Sequence, residues 1–251
     1  MKDNKTLAYI NLFAVLGAIP KLCEECEEAR RLIENDKISI GFSVKNGPTA
    51  TLIFDKGKCE MIEGVKKCNI KLPFSKPEKF NAMIDGTGTP IPSKGFTKIG
   101  FLLKKFIPLT DILSKYLRAT KEDLEDEAFF RSSTLIMLHV ISEAIAQIGN
   151  HDEIGRFSAS NIVDGIAKIS IKGEESAYIV SNNHKLTASH TQTNNYTSYM
   201  EFSDIRLARA LFDGEVNAVS AVGLGNVRIG GMISMVDNIN RILDRVAYYL
   251  A

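Results

Sequence analysis

The sequence predicts an α+β fold made of two related domains, each with a mostly antiparallel five-stranded sheet packed with helices. The first observation is an internal repeat, because Phe74-Ser75 and Phe202-Ser203 are each followed, after nine residues, by Asp-Gly. The second is that both halves place short strands and turn signals between apolar helices. A repeat of ~126–130 residues is too long for a solenoid period and fits two domains of one kind.

Both copies continue in the same way after the Asp-Gly pair. Each reaches a Gly-x-x-x-Ile-Gly element, Gly95–Gly100 or Gly225–Gly230, and an Ile-Leu pair follows twelve residues later. We therefore expect one domain over residues 1–118 and a second over 119–251, without a flexible linker between them. The alternative is one continuous domain in which the two halves share a sheet.

The first copy is predicted to open with a helix over 6–33, which is apolar at first and then charged. Alternating apolar residues in Ile38–Val44 predict a strand with one buried face. The elements that follow are strands at 49–55, 58–63, 67–72 and 96–100, a helix capped by Ser75 and ended by Asp85-Gly86, and a helix at 101–117 kinked by Pro108.

The second copy repeats this order. Thr120–Asp123 resembles a capping box with an acidic first turn, so a long helix is expected from 121 to Gly149. The elements that follow are strands at 165–172, 175–181, 185–190 and 195–201, a helix capped by Ser203, a short helix within 215–222, a strand at 226–230 and a helix at 232–249.

The composition is that of an ordinary globular protein, with 45% apolar and 24% charged residues. The net charge is only +1, so we expect no nucleic-acid partner. Residues 1–119 carry 20 Lys/Arg against 13 Asp/Glu, or +7, whereas the rest carry 11 against 17, or −6. This imbalance fits either drift on solvated faces or a basic half that meets anionic lipid headgroups or an acidic neighbour.

Residues 7–19 resemble the apolar region of a signal peptide, but no small-x-small cleavage site follows them. The same helix pattern recurs at 138–148, where it cannot be a signal. No apolar run approaches the ~18–20 residues that span a bilayer. We therefore expect a core helix in a cytoplasmic, bacterial-type soluble protein.

The four cysteines do not predict a metal or redox centre. Cys23 and Cys26 form a Cys-x-x-Cys motif, but the chain contains no second such motif. A tight turn at Glu63-Gly64 would place Cys59 opposite Cys68. Because the second copy has Leu and Tyr at the equivalent positions, buried packing is favoured over thiol chemistry.

The histidines and glycines do not predict a metal or nucleotide site either. His139 replaces Phe13 of the first copy and is expected to pack as an aromatic residue. His184 and His190 flank a strand, roughly 20 Å apart at ~3.3 Å per residue, which is too far to share a metal. Gly230-Gly231 is expected to open a helix, but it follows only one short strand and lacks the Lys-Ser/Thr of a phosphate-binding loop. We expect no metal, no cofactor and no enzymatic activity.

Surplus apolar residues near the last helix of each copy favour a site for a hydrophobic ligand. Both helices are apolar over more than one stripe, which exceeds what covering one sheet face requires; a plain core face is the alternative. The expected ligand-binding residues are Phe212, Val227, Met232, Ile233, Val236 and Ile239 in the second copy, and Phe101, Leu102 and Phe106 in the first.

The second copy resembles the sterol carrier protein type 2 family of lipid-transfer domains over Ile166–Leu250. The resemblance lies in Phe202-Ser-Asp204 opening a helix, Phe212-Asp-Gly214 ending it, and Gly225–Gly231 preceding an apolar helix. The first copy matches more loosely and departs at Thr89–Pro92, so its pocket is expected to be reshaped or filled.

The resemblance implies a tandem pair of sterol-carrier-like domains that bind or carry a lipid, sterol or fatty-acyl-like molecule without catalysis. A ligand-free interaction or dimerisation module is the alternative function, and the oligomeric state is left open. If lipid is exchanged with a bilayer, transient contact with an anionic membrane surface is expected from the basic copy. The residues expected at that contact are Lys94, Lys98, Lys104 and Lys105 beside Phe96, Phe101 and Phe106. The alternative is that these lysines only solubilise a helix.

Overall fold

A computed structural model describes residues 2–250. The chain divides into two compact units, with the boundary between Ser132 and Ser133 inside a long helix. The sequence pattern predicts the boundary earlier, near Arg118. Each unit contains one mixed sheet with helices, of four strands in the first and five in the second, so the α+β class is confirmed.

The first unit has its sheet in the order β3-β2-β1-β4, with β1 parallel to β4 and the other pairs antiparallel. Its strands are β1 (Lys37–Val44), β2 (Thr49–Asp55), β3 (Lys58–Glu63) and β4 (Ile70–Phe74). Its helices are α1 (Asn4–Tyr9), α2 (Ile19–Glu25), α3 (Glu27–Leu32), α4 (Pro77–Ile84), α5 (Ile99–Phe101) and α6 (Ile107–Leu117).

Irregular helical turns join α1 to α2 and α5 to α6. The turns are π-helical at Ile10–Val15 and at Leu102–Phe106. Pro20 lies in the first turn of α2 and Pro108 in the first turn of α6, where a missing backbone N–H is tolerated. The irregularity expected at Pro108 thus takes the form of a wide turn just before it.

The strand expected at 96–100 is wrong, since Phe96–Lys98 forms a single 3₁₀ turn that leads into α5. Gly95 adopts a left-handed φ of 87° there, and an isolated bridge joins Lys71 to Lys94 beyond β4. The residues that follow bury apolar side chains at helical spacing, so packing overrides the strand-like pattern. The first sheet therefore has four strands among residues 2–132 instead of five.

Three further expectations in the first unit fail for local reasons. Cys26 is extended, with φ −117° and ψ 115°, so the helix expected over 6–33 ends at Glu25 and resumes as α3. Lys76 precedes α4 without a side-chain cap, so Ser75 does not cap it. Since β3 and β4 lie on opposite edges of the sheet, Cys59 does not face Cys68.

The second unit has its sheet in the order β7-β6-β5-β8-β9, with β5 parallel to β8 and the remaining pairs antiparallel. Its strands are β5 (Gly165–Ile171), β6 (Ser176–Asn182), β7 (Lys185–Ser189), β8 (Ser198–Phe202) and β9 (Val227–Gly231). Its helices are α7 (Glu127–His151), which crosses the boundary, α8 (Glu153–Ser160), α9 (Ile205–Phe212), α10 (Ala218–Gly223) and α11 (Ile233–Leu250).

The residues at which the helices of this region begin differ from those expected. Thr120 and Asp123 do exchange capping hydrogen bonds, but only a single 3₁₀ turn, Asp123–Glu125, follows them. α7 begins later, where the Asp126 carboxylate accepts the backbone N–H of Phe129. Asp204, not Ser203, caps α9 by accepting the N–H of Leu207.

Two helical stretches, Asn4–Glu25 and α7, are long and apolar enough to cross a membrane by length and mean hydropathy alone. This corrects the expectation that no segment approaches that length. Within the most apolar window, 67% of the first stretch and 61% of α7 are buried inside the structure. Core helices, and signal sequences near an N-terminus, satisfy the same criteria, so neither helix is assigned to a membrane.

Replacing Gly231 with alanine is expected to destabilise the fold by about 1–3 kcal/mol, because the residue combines a strained backbone with a steric overlap. Gly231 has a φ of 77°, and an added Cβ would overlap the carbonyl oxygen of Thr197. Gly214→Ala is the matched control, since Gly214 has a φ of 72° and open space around its Cβ position. Urea denaturation should show the larger loss at Gly231, and equal losses would contradict the overlap.

Candidate ligand site

The helix-facing side of the second sheet is apolar along β8 and β9. Because side chains alternate along a strand, three pairs lie on this inner face. The pairs are Ser198 with Gly231, Met200 with Ile229, and Phe202 with Val227. Phe212 of α9 packs edge-on against Phe202, with ring centroids 5.7 Å apart and an interplanar angle of 87°, which identifies this face as the one covered by helices.

The helices cover this inner face unevenly. Phe202 and Val227, at one end of the pair of strands, are buried. Met200 and Ile229, in the middle, are only partly buried although they are apolar and lie on the core side. The edge of the inner face formed by β8 and β9 is therefore accessible at its centre.

The apolar stripe of α11 extends past the packed part of the sheet. Its buried residues are Met235, Val236, Ile239, Ile242, Val246 and Tyr249, which recur at helical spacing. Met232 continues the stripe one turn earlier but is 38% exposed, and the neighbouring Ile233 is 54% exposed. The first turn of α11 thus leaves exposed apolar surface at the Ser198–Gly231 end of the β8–β9 pair.

The helix α10, which leads into β9, also carries exposed apolar side chains. Ala221 is buried and its carbonyl accepts the N–H of Asn226, which fixes the end of α10 next to the start of β9. Val219 and Leu224 are 79% and 76% exposed. The chain from 219 to 233 therefore presents more apolar surface than its core requires.

Small residues line the inner face beneath the first half of α11. An added Cβ at Gly165 would lie 3.3 Å from the terminal methyl of Met235, so helix and sheet approach closely. Ser198 is completely buried beside this contact, and its hydroxyl has no hydrogen-bond partner among residues 2–250. Leaving a buried hydroxyl unpaired costs free energy, so this contact between helix and sheet is less than optimally satisfied.

The structure divides the residues expected to bind ligand in the second copy into two groups. Phe212 and Val227 lie at one end of the β8–β9 pair, and the first turn of α11 starts at the other, four residues or roughly 13 Å away at ~3.3 Å per residue. Val236 and Ile239 are buried in the core, whereas Met232 and Ile233 are exposed.

Met200 and Ile229 bridge these two groups, and the sequence prediction missed both. The alternation of apolar residues in β9 could have identified Ile229. Met200 depends on the register between β8 and β9, which no local pattern reveals.

In the first unit, Phe101, Leu102 and Phe106 are all buried. Phe101 packs on Phe54 with ring centroids 5.3 Å apart, and Phe106 packs on Phe42 at 6.0 Å. Aromatic rings from the helical segment therefore occupy the inner face of the first sheet. The three residues expected to bind ligand in the first copy are therefore part of its core.

The basic surface expected in the first copy is smaller than the sequence suggests. Lys105 donates to the carbonyl of Leu32 at 2.6 Å, and Lys94 donates to the carbonyl of Cys68 at 2.6 Å, so both ammonium groups are engaged within the protein. Phe101 and Phe106 are buried and cannot insert into a bilayer in this conformation. Phe96, which is 60% exposed, and the side chains of Lys98 and Lys104 remain exposed.

The four cysteines are free thiols, and their environments favour the protonated form at Cys59. A hydrogen bond with Cys23, followed by burial, raises the pKa of the Cys59 thiol far above its usual value. Cys68 instead packs against Gly41, where an added Cβ would lie 2.8 Å from its sulfur. A thiol held protonated is a poor nucleophile.

The structure brings together three potential metal ligands that the sequence prediction did not combine: His139, Glu143 and His190. From the sequence alone, His190 is compared only with His184. His184 lies elsewhere, with its Nδ1 3.3 Å from the carbonyl oxygen of Ile162. His139 does stack as an aromatic ring, but its partner is His190, with centroids 4.1 Å apart.

No protein-family model matches the sequence, and no curated protein matches it. Among solved structures, the chain is similar to a UbiJ-SCP2 ubiquinone synthesis protein, with 13% identity over 42% of this chain and 94% of that chain, and a TM-score of 0.33. It is also similar to the sterol carrier protein domain 2 of Helicoverpa armigera, with 12% identity, coverages of 44% and 88%, and a TM-score of 0.36.

A third similar structure is the apo form of sterol carrier protein 2 from Yarrowia lipolytica. It has 14% identity over 40% of this chain and 92% of that chain, with a TM-score of 0.30.

Proposed function

We propose that the second unit reversibly binds and carries an apolar, lipid-like molecule. The site is the β8–β9 apolar surface, defined as Met200, Phe212, Ile229, Met232 and Ile233. The observation that carries the proposal is the incomplete burial of Met200 and Ile229 on the helix-facing side of the sheet. The lipid-transfer resemblance of the sequence motifs agrees with this function.

The chemistry of this surface suits a weakly held, variable ligand. Burying ~300 Å² of apolar ligand surface at ~25 cal/mol/Å² contributes roughly 7 kcal/mol before association costs, which is compatible with micromolar binding. Met200 and Met232 have flexible, polarisable side chains that adapt to different acyl or ring shapes.

We propose binding without catalysis, because Asp213, the titratable residue beside Phe212 that has a counterpart in the first copy, has a structural partner. Asp213 accepts a hydrogen bond from Arg209 at 2.6 Å, and Arg209 is itself buried and donates to Ser133 at 2.7 Å. This ion pair, with a helix-ending turn at Gly214, accounts for Asp213 without a role in chemistry.

The direct test is native mass spectrometry of untagged protein purified from cells, followed by displacement of a fluorescent fatty-acid analogue. We expect a co-purifying lipid mass and saturable displacement by fatty acids or sterols. Protein that is ligand-free as purified and shows no saturable binding of the analogue would overturn the proposal.

The alternative function is an interaction module in which the exposed Val219, Leu224 and Ile233 contact a second copy of the chain. Light scattering coupled to gel filtration distinguishes the two. A stable dimer that does not bind the fatty-acid analogue favours the interaction module, whereas a monomer that binds it favours carriage.

If the carried lipid is exchanged with a bilayer, we propose that the exposed Lys98, Lys104 and Phe96 make the contact. Each cation contributes about 1 kcal/mol near an anionic surface, so Lys98→Glu with Lys104→Glu should weaken vesicle binding at least ~10-fold at low salt. Co-sedimentation with anionic vesicles measures this, and Lys172→Glu on the second unit is the control. Equal losses in the control and double variant would contradict the assigned surface.

A further inference from the structure

We propose that His139, Glu143 and His190 form a binding site for a divalent transition metal of the zinc class. This site is separate from the β8–β9 apolar surface and does not depend on lipid binding. The three residues each offer one ligand atom, and these atoms all lie within 4.8 Å of one another.

Helical spacing places two of the ligands on one face. His139 and Glu143 are four residues apart on α7, so their side chains project from the same side of the helix, one turn apart. The i, i+4 arrangement of two ligands on a helix recurs in zinc enzymes because it fixes both donors from a single rigid element. The neighbouring Leu138, Val140 and Ala144 are buried and hold α7 in place.

The third ligand, His190, lies near the other two because β7 is hydrogen-bonded to the end of α7. The side chain of Asn150 donates to the carbonyl of Leu186 at 2.7 Å and accepts the N–H of Leu186 at 2.9 Å. Gly149 permits this approach, since an added Cβ there would overlap the Leu186 side chain.

His190 lies about as far from the Asn150–Leu186 contact along β7 as Glu143 and His139 lie from it along α7. From Asn150 back to Glu143 and His139 is roughly 10–16 Å at ~1.5 Å per residue. From Leu186 to His190 is roughly 13 Å at ~3.3 Å per residue. His190, the first residue after β7, therefore lies beside the two helix residues instead of beside His184.

The donor set matches the chemistry of zinc. Two imidazoles and one carboxylate are a common protein contribution to sites that leave one position for water or another ligand. His190 Nε2 already lies 3.4 Å from Glu143 Oε1, a separation close to that between two ligand atoms of a tetrahedral zinc ion with bonds of ~2.0–2.1 Å. The side chains of His190 and Glu143 are 35% and 21% exposed, so an ion can enter from solvent.

One rearrangement accompanies binding. The rings of His139 and His190 are stacked with an interplanar angle of 19°, whereas two imidazole nitrogens on one metal must converge. Rotation of the His190 side chain out of the stack closes the remaining gap without moving α7, because His190 is exposed and lies beyond the end of β7.

The test uses untagged, chelator-treated protein titrated with zinc against a chromophoric zinc indicator, and cobalt(II) absorption as a report of coordination. We expect one zinc per chain and a visible cobalt spectrum with histidine ligands. His190→Ala, Glu143→Gln and His139→Phe should each weaken zinc binding ~10-fold or more. His139→Phe is a conservative choice, since Phe13 occupies the equivalent position of the first copy and the ring is retained.

His184→Ala is the control, because it removes a histidine from the other end of β7 and should leave zinc affinity unchanged. Added zinc should also raise the thermal unfolding temperature of the wild type and of His184→Ala, but not that of His190→Ala. Indistinguishable zinc titrations for the wild type and the three ligand variants, with all four folded by circular dichroism, would overturn the proposal.

Discussion

Replacing Asp152 with alanine is expected to lower the free energy of unfolding by about 3–5 kcal/mol, the range typical of breaking a buried ion pair by removing one partner. Asp152 is buried at the start of α8 and accepts two hydrogen bonds from Arg245, at 2.9 and 3.2 Å. It also accepts the hydroxyl of Tyr249 at 2.9 Å and the backbone N–H of Gly155 at 2.9 Å. One carboxylate therefore joins the first turn of α8 to the last turns of α11.

The loss is large because several groups lose their partner at once. The Tyr249 hydroxyl is buried, the guanidinium of Arg245 is largely so, and α8 loses its N-cap. Asp204→Ala is the matched control, because Asp204 caps α9 through the same kind of backbone bond but is exposed, and such a cap contributes about 1 kcal/mol. Urea denaturation measures both, and similar losses would contradict the network.

The same carboxylate makes stability depend on pH in a defined direction. Burial opposes ionisation of Asp152, but hydrogen bonds from Arg245, Gly155 and Tyr249 outweigh it and hold the pKa below its usual value. A group with a lowered folded-state pKa stabilises the fold above its unfolded pKa, about 3.9, and loses that contribution as the pH falls through the folded value. Asp152→Asn should therefore differ most from the wild type near neutral pH and least in strong acid.

The second sheet shows how far local pattern predicts structure. Strands β5 to β9 lie within three residues of their expected bounds, because alternation and turn residues specify a half-buried strand. The same reasoning fails at Phe96–Lys98, where a Gly-x-x-x-Ile-Gly element like that of β9 becomes a turn and helix. Burial of Phe101 and Phe106 against the first sheet decides the outcome there, and that contact is not local.

Sequence pattern predicts some residues of the two candidate sites and misses others, because it specifies local structure and not tertiary contacts. Helical periodicity identifies the apolar residues of α11, so Met232 and Ile233 are found from the sequence. Met200 and the His139–Glu143–His190 cluster require the pairing of β8 with β9 and the attachment of β7 to α7. Those pairings are tertiary, so residue spacing alone does not contain them.

Replacing Ile229 with glutamate is expected to weaken binding of the fatty-acid analogue by at least ~10-fold. Ile229 is the central apolar residue of the β8–β9 apolar surface, and a carboxylate there would both remove apolar contact area and have to be desolvated by the ligand. The side chain is only partly buried in the free protein, so the variant should still fold. Displacement titrations give the affinity, and circular dichroism with thermal unfolding checks the fold.

Two further variants separate this explanation from a general charge or packing effect. Arg228→Glu places a carboxylate on the opposite, exposed face of the same strand and should leave affinity within ~2–3-fold of the wild type, whereas Ile229→Leu retains apolar area and should bind nearly normally. Met200→Glu, on the neighbouring strand, should reproduce the loss seen at Ile229 because the two side chains are paired. Equal weakening by Arg228→Glu and Ile229→Glu would point to net charge as the cause and place the ligand away from this face.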